Sequence, residues 1–222
     1  MSQKTTPTFE PDCRKCTRLA NFLDQVADKH PAYHARPVEA FGDPNARLLI
    51  VGLAPGMHGA NASGRPFTGD YAGILLYQTL FDFGYSSHPQ SVSRNDGLKL
   101  TGVRITNAVK CLPPQNKPQL DEVKNCNLYL HAEIRNLPES AVVLALGKLA
   151  HDAVLRALDH RLSAFRFGHK QVHELDDSLV MIDSYHCSRY NTQTRRLTPA
   201  MFTQVFHAAG KLLDRTEKTL PV

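Results

Sequence analysis

The chain has 222 residues, yet nowhere approaches the ~18 consecutive apolar residues that a membrane-spanning helix needs. Its first residues, MSQKTTPTFEPDC, hold no apolar stretch of the kind a secretory leader requires. The expectation is a chain that stays in the cytoplasm, with no membrane partner and its cysteines reduced. Internal repeats and low-complexity tracts are also missing, and no composition shift marks a boundary, so residues 1–222 are expected to form a single domain. Two nucleotide signatures are absent as well. No lysine follows a glycine in the pattern of a phosphate loop, and the G-x-G-x-x-G of dinucleotide sites does not occur.

What is present is an ordinary globular composition, 42% hydrophobic, with eleven histidines and a formal charge of +5. The positive balance favours polyanions and makes nucleic acid a candidate partner. Four short apolar runs, at 46–53, 103–110, 141–147 and 179–185, have the length and β-branched content of buried parallel strands. Helical patterns fall between and after them, at about 71–83, 119–136, 148–160 and 199–215, and another lies at 17–30 before the first. Such alternation predicts an α/β fold, a three-layer α/β/α sandwich around a four-stranded, mainly parallel sheet. The polar, turn-rich stretch 86–98 reads as a surface loop.

Ligands of open α/β sheets bind beyond the carboxyl ends of the strands, which directs attention to three segments. The first, GLAPGMHGANASGRPFTGDYAG from Gly52 to Gly73, has six glycines and one carboxylate, Asp70. Its glycines allow the backbone to approach a flat ligand, and Phe67 offers a ring to stack on it. Asp70 stands just before a helical pattern, where it could equally serve as a capping residue. The second segment, TNAVKCLPPQNKP, carries Asn107 and Cys111. The third, SYHCSRYNTQTRR, places His186 directly after the last strand, followed by a polar, basic run beginning at Arg189. A histidine there can stabilise developing negative charge, and the polar run can bind phosphates.

Cys13 and Cys16 form a C-x-x-C pair, and Cys111 and Cys126 flank a proline-rich loop. Four thiolates in a reducing compartment point to a metal, and spacing leaves Zn²⁺ and an iron–sulfur cluster both open. Cys187, next to His186, has no evident partner and reads as a structural thiol or as one that supports its neighbour from behind.

Taken together, GLAPGMHGANASGRPFTGD, TNAVKCLPPQNKP and SYHCSRYNTQTRRLT resemble the motifs of the uracil-DNA glycosylase superfamily, in particular its iron–sulfur-containing family 5, from Cys13 to about Thr198. Family 4 enzymes typically carry an acid in a G-E-A-P-G motif, where this chain has Leu53. The resemblance implies a DNA-repair glycosylase that flips uracil out of double-stranded DNA and hydrolyses its N-glycosidic bond, with hypoxanthine and xanthine as further candidate bases. It implies that Phe67 stacks on the flipped base, that Asn107 faces its hydrogen-bonding edge and that His186 lies near the base carbonyl. With no acid at Leu53, Asp70 is the best remaining acid in the loop, so Asp70, Asn107 and His186 are expected as catalytic residues. Gly52, Leu53, Ala54, Phe67, Asn107 and Arg189 are expected as the base and DNA contacts. Cys13, Cys16, Cys111 and Cys126 would match the ligands of a structural [4Fe–4S] cluster. A monomer acting on the chromosome is expected. The competing expectations are an iron–sulfur protein that binds or traps lesions without releasing a base, and a zinc-dependent hydrolase or nuclease.

Overall fold

The structure is a computed structural model, and it describes residues 9–176 and 179–217, with the side chains of residues 216 and 217 left aside. In chain order the elements are α1 (Thr17–Lys29), β1 (Phe41–Gly42), β2 (Leu48–Gly52), α2 (Ala60–Ser63), α3 (Tyr71–Asp82), β3 (Val103–Asn107), α4 (Leu120–Arg135), β4 (Val142–Leu146), α5 (Lys148–Ala157), β5 (Val172–Glu174), β6 (Val180–Ser184), α6 (Arg189–Gln193) and α7 (Pro199–Glu217). No described helix is long and apolar enough to cross a membrane.

The sheet has six strands in the order β1-β3-β2-β4-β6-β5, rather than the expected four. β3, β2, β4 and β6 are parallel and coincide with the four apolar runs. β1 and β5 add antiparallel edges of two and three residues. Strands this short carry no period-two signal, which is why the alternation of apolar residues did not reveal them.

Side chains alternate across the central strands, and both faces are buried. Leu48, Ile50, Ile105, Leu144 and Ile182 pack against α3 and α7 through Leu76, Leu80, Phe202 and Phe206. Leu49, Val51, Val143 and Ala145 face α4 and α5 through Leu130, Ile134, Ala150 and Val154. The result is the expected three layers. A third apolar group joins Leu19, Leu23 and Val26 of α1 to Val109, Leu112 and the cysteines Cys111 and Cys126. A two-pronged ion pair adds to it, since Arg18 donates from Nε and Nη2 to the buried Glu122 at 2.7 Å each. The same carboxylate accepts from the backbone N–H of Gln119 at the start of α4, so one glutamate caps a helix and anchors the N-terminal segment.

The connections after neighbouring strands β2 and β4 leave towards opposite faces of the sheet, α3 on one and α5 on the other. That divergence opens a crevice at the carboxyl edge of the sheet.

Candidate active site

A cavity of about 440 Å³ occupies this crevice, and Leu53, Ala54, Phe67, Asp70, Asn107, His186 and Arg189 all contribute to its lining. Three strand ends, those of β2, β3 and β6, therefore deliver the residues singled out from three separate segments of the sequence. Gly52 stands directly behind them. A Cβ built there would lie 2.4 Å from Asn107 Oδ1 and 2.7 Å from Phe67 Cζ, so only a glycine lets the amide and the ring close together over the end of β2.

Asp70 occupies the N-cap position of α3, but its side chain makes no capping hydrogen bond there. Its carboxylate turns back instead and accepts from the backbone N–H of Ala60 at 3.1 Å, at the first residue of α2. The capping role open to it in the sequence is thus not the one it takes. The carboxylate lies against Gly59, where a Cβ would come within 1.9 Å of Oδ1. Burial pushes the Asp70 pKa up, opposed by the Ala60 hydrogen bond and by His58. A raised pKa makes a carboxylate a better proton acceptor.

Phe67 is buried and has a φ of +57°, an uncommon conformation for a bulky residue. Its ring lies nearly parallel to the His186 imidazole, at 26° with centroids 6.1 Å apart. Asn191 Nδ2 donates to the His186 carbonyl at 2.8 Å, which fixes the turn after β6. Burial lowers the His186 pKa to about 4, so at neutral pH the ring is an uncharged imidazole, able to donate through one nitrogen.

Asn107, at the end of β3, is buried, and its Oδ1 has no hydrogen-bond partner. A buried acceptor left bare costs about 1–3 kcal/mol, and this one belongs to a residue that lines the cavity. Arg189 is exposed at the mouth, its guanidinium 5.4 Å from the centre of the Tyr71 ring.

The sequence did not single out Tyr71, Asn116 or Ser188, which also line the cavity. Asn116 comes from the proline-rich loop between Cys111 and Cys126 and adopts a φ of +56°, following Gln115 at +57°. The PPQN stretch carries a turn signal, because asparagine tolerates this conformation, but nothing in it indicates where the turn points.

Cys13, Cys16, Cys111 and Cys126 lie in one neighbourhood beside α1. Burial first, and then Cys126, Cys13 and Cys16, push the Cys111 thiol far up. Burial likewise raises Cys126 to about 11. A single tetrahedral Zn²⁺ with bonds of about 2.3 Å would need sulfurs about 3.8 Å apart. Among the described residues, the trio whose ligand atoms all fall within 4.8 Å of one another is instead His151, His173 and Asp183. There the His151–Asp183 and His173–Asp183 contacts are 2.8 and 2.9 Å, which are hydrogen-bond lengths. The thiols are thus convergent but spread, a donor set suited to a multi-atom cluster. Cys187 is fully buried in the main core, in keeping with a structural thiol.

Comparison with known proteins agrees with this geometry. The family model described as the uracil DNA glycosylase superfamily matches residues 39–210. A type-5 uracil-DNA glycosylase of Thermus thermophilus is 45% identical over 90% of this chain and 93% of its own length. Another, from Pyrobaculum aerophilum, is 42% identical over 90% of this chain and 88% of its own. A type-4 uracil-DNA glycosylase of Archaeoglobus fulgidus is 27% identical over 90% and 89%, in line with Leu53 standing where the family 4 acid is expected. The chain belongs to the uracil DNA glycosylase superfamily, within its type-5 group.

Proposed function

We propose that this chain removes uracil from double-stranded DNA by flipping the base into the cavity at the strand ends and hydrolysing its N-glycosidic bond. The observation that carries the reading is the bare, buried Oδ1 of Asn107, a residue that lines one cavity together with Asp70, Phe67 and His186. Uracil presents an N–H donor between two carbonyls, which suits that acceptor. Cytosine presents an acceptor at the same ring position and would leave two acceptors opposed.

Flipping costs a few kcal/mol of unstacking, least at a mismatched or damaged base. The Phe67 ring and the backbone beside Gly52 hold the base flat. As the glycosidic bond lengthens, negative charge gathers on the base and positive charge on the sugar. Neutral His186 donates to the anionic base, a contact that strengthens as the charge develops. Asp70 orients or deprotonates the attacking water and offsets the charge on the sugar. Arg189 holds backbone phosphate at the mouth. With an apolar side chain at Leu53, discrimination falls mainly on Asn107, consistent with acceptance of other deaminated bases such as hypoxanthine and xanthine.

Cys13, Cys16, Cys111 and Cys126 hold a [4Fe–4S] cluster in this reading, which rests on their convergence and spread. The cluster supplies iron–thiolate bonds that tie the N-terminal segment to the 111–126 loop, and with it Asn116 at the cavity wall. Residues 1–222 then work as a single domain, as a monomer, in the compartment that holds the chromosome.

Incubation of the protein with uracil-containing duplex DNA tests the reading, with free base and alkali-labile sites measured together. Stoichiometric release of uracil is expected. Tight binding without release would identify a lesion-trapping protein instead, and metal-dependent strand cleavage a nuclease.

A further inference from the structure

The polar stretch 86–98 is not simply a surface loop, because its middle closes over the glycine loop through a buried charge. The side chain of Arg65, two residues before Phe67, is 3% exposed, and that of its partner Asp96 is 10% exposed. Arg65 Nη2 donates to Asp96 Oδ1 at 2.8 Å and also to the Ser93 carbonyl, while Nη1 donates to Ser91 Oγ at 3.0 Å. The guanidinium also lies over the Phe41 ring, 4.6 Å from its centre. Asp96 in turn accepts from the N–H groups of Val92, Ser93 and Leu98, so it organises its own loop while holding the arginine.

The residues around Phe67 are fixed from outside their own loop in the same way. Tyr77 donates to the Pro66 carbonyl at 2.8 Å, and Thr68 Oγ1 shares a 2.6 Å hydrogen bond with Ser91 Oγ. Positions 65, 66 and 68 are thus each tied down on either side of a phenylalanine at φ +57°. A bulky residue keeps that conformation only where its surroundings over-determine it.

We propose that Arg65, Asp96 and Ser91 form a positioning clasp that holds Phe67 and, through the same loop, Asp70 in the geometry required for base release. The proposal rests on the glycosylase reading for its catalytic consequence. Burial of Asp96 opposes its ionisation, yet the hydrogen bonds from Arg65 and from the backbone of Leu98, Val92 and Ser93 hold its carboxyl well below the usual range. The clasp therefore stays charged throughout the working pH range and does not act as a switch.

Three variants test it: Asp96→Asn, which breaks the ion pair; Ser91→Ala, which removes a neutral partner and leaves no buried charge unpaired; and Arg65→Lys, which keeps the charge but loses the fork. Single-turnover uracil release at saturating duplex, duplex affinity, melting temperature and amide hydrogen exchange over residues 64–70 are measured on each. The saturated rate is expected to fall about 10- to 100-fold in Asp96→Asn and Ser91→Ala. Duplex affinity should stay within about twofold, because Arg189 at the mouth is untouched. Arg65→Lys should fall between them and the unaltered chain, and exchange should quicken within 64–70. Unaltered rates and exchange in folded variants would overturn the clasp, as would rate and affinity falling together in step with the folded fraction. Should Asp96→Asn fail to fold, Ser91→Ala decides. Should the unaltered protein release no uracil, the glycosylase reading fails, and exchange over 64–70 alone then supports or overturns the clasp.

Discussion

Replacing Gly59 by alanine separates the function of Asp70 from the stability of the fold. The added methyl would stand 1.9 Å from Asp70 Oδ1 and 2.0 Å from its Cγ. Relief from 1.9 Å to the 3.0 Å that real Cβ contacts respect moves the carboxylate by about 1.1 Å. The obstacle is the end of a side chain, so rotation of Asp70 can supply the movement without unfolding the loop. The loss to the fold includes the hydrogen bond from the Ala60 N–H, at 3.1 Å. A hydrogen bond to a carboxylate contributes about 1.5–3 kcal/mol, or about 3–12 °C of melting temperature for a chain of this size. A 1 Å misplacement of a catalytic group, in contrast, costs about 100-fold in rate. Gly59→Ala is thus expected to melt about 3–12 °C below the parent yet remain folded at assay temperature, while its single-turnover uracil release approaches that of Asp70→Ala. Parental release rates in Gly59→Ala would refute the placement of Asp70 in the chemistry. Loss of activity only in proportion to unfolding would refute the claim that the clash is absorbed by the side chain.

His186→Ala is expected to lower saturated base release by about 100- to 1,000-fold, the loss found when a donor to a developing anion is removed, as read by single-turnover kinetics. His186 also shapes stability against pH. It stays neutral in the folded protein down to about pH 4 but titrates near 6.5 when free, so between these values the unfolded chain binds more protons. Stability linked to the neutral ring is complete above about pH 6.5 and is lost as pH falls towards 4, by up to roughly 3 kcal/mol. Denaturant melts of His186→Ala should show a shallower pH dependence in that window. Arg189→Ala should weaken duplex binding for all sequences alike and reduce the salt slope of binding by about 1, measured by titration at several salt concentrations. Cys126→Ser should abolish bound iron, seen by metal analysis, and lower base release as the loop bearing Asn116 loosens.

The central sheet was legible because parallel strands covered on both faces read as continuous apolar runs such as LLIVG and VVLAL, bounded by turn residues. The edges β1 and β5 were not, since two or three residues cannot display a period. At the site, the residues nearest the strand ends were legible because topology dictates where such ends point. Asp70, Asn107 and His186 all lie within two residues of a strand or helix terminus. Orientation was not legible. Nothing in SGRPFTGD reveals that Asp70 forgoes its own helix and turns to Ala60, a choice made by glycines that leave the carboxylate room. The clasp from Arg65 to Asp96 escaped for a related reason. A hydrophilic, turn-rich stretch looks solvated, and only tertiary packing shows that its acid faces inward to meet a buried arginine.

The central claim is that this cavity cleaves the base it holds, and paired measurements on Asp70→Ala and the unaltered protein test it most directly. Both are titrated with uracil-containing duplex, and uracil release is then followed in a single turnover. The account predicts equal duplex affinity within about twofold and a rate at least about 100-fold lower in the variant, the unaltered protein leaving one alkali-labile site for each uracil released. Equal rates in the two proteins, or an unaltered protein that binds the duplex and releases nothing, would contradict it.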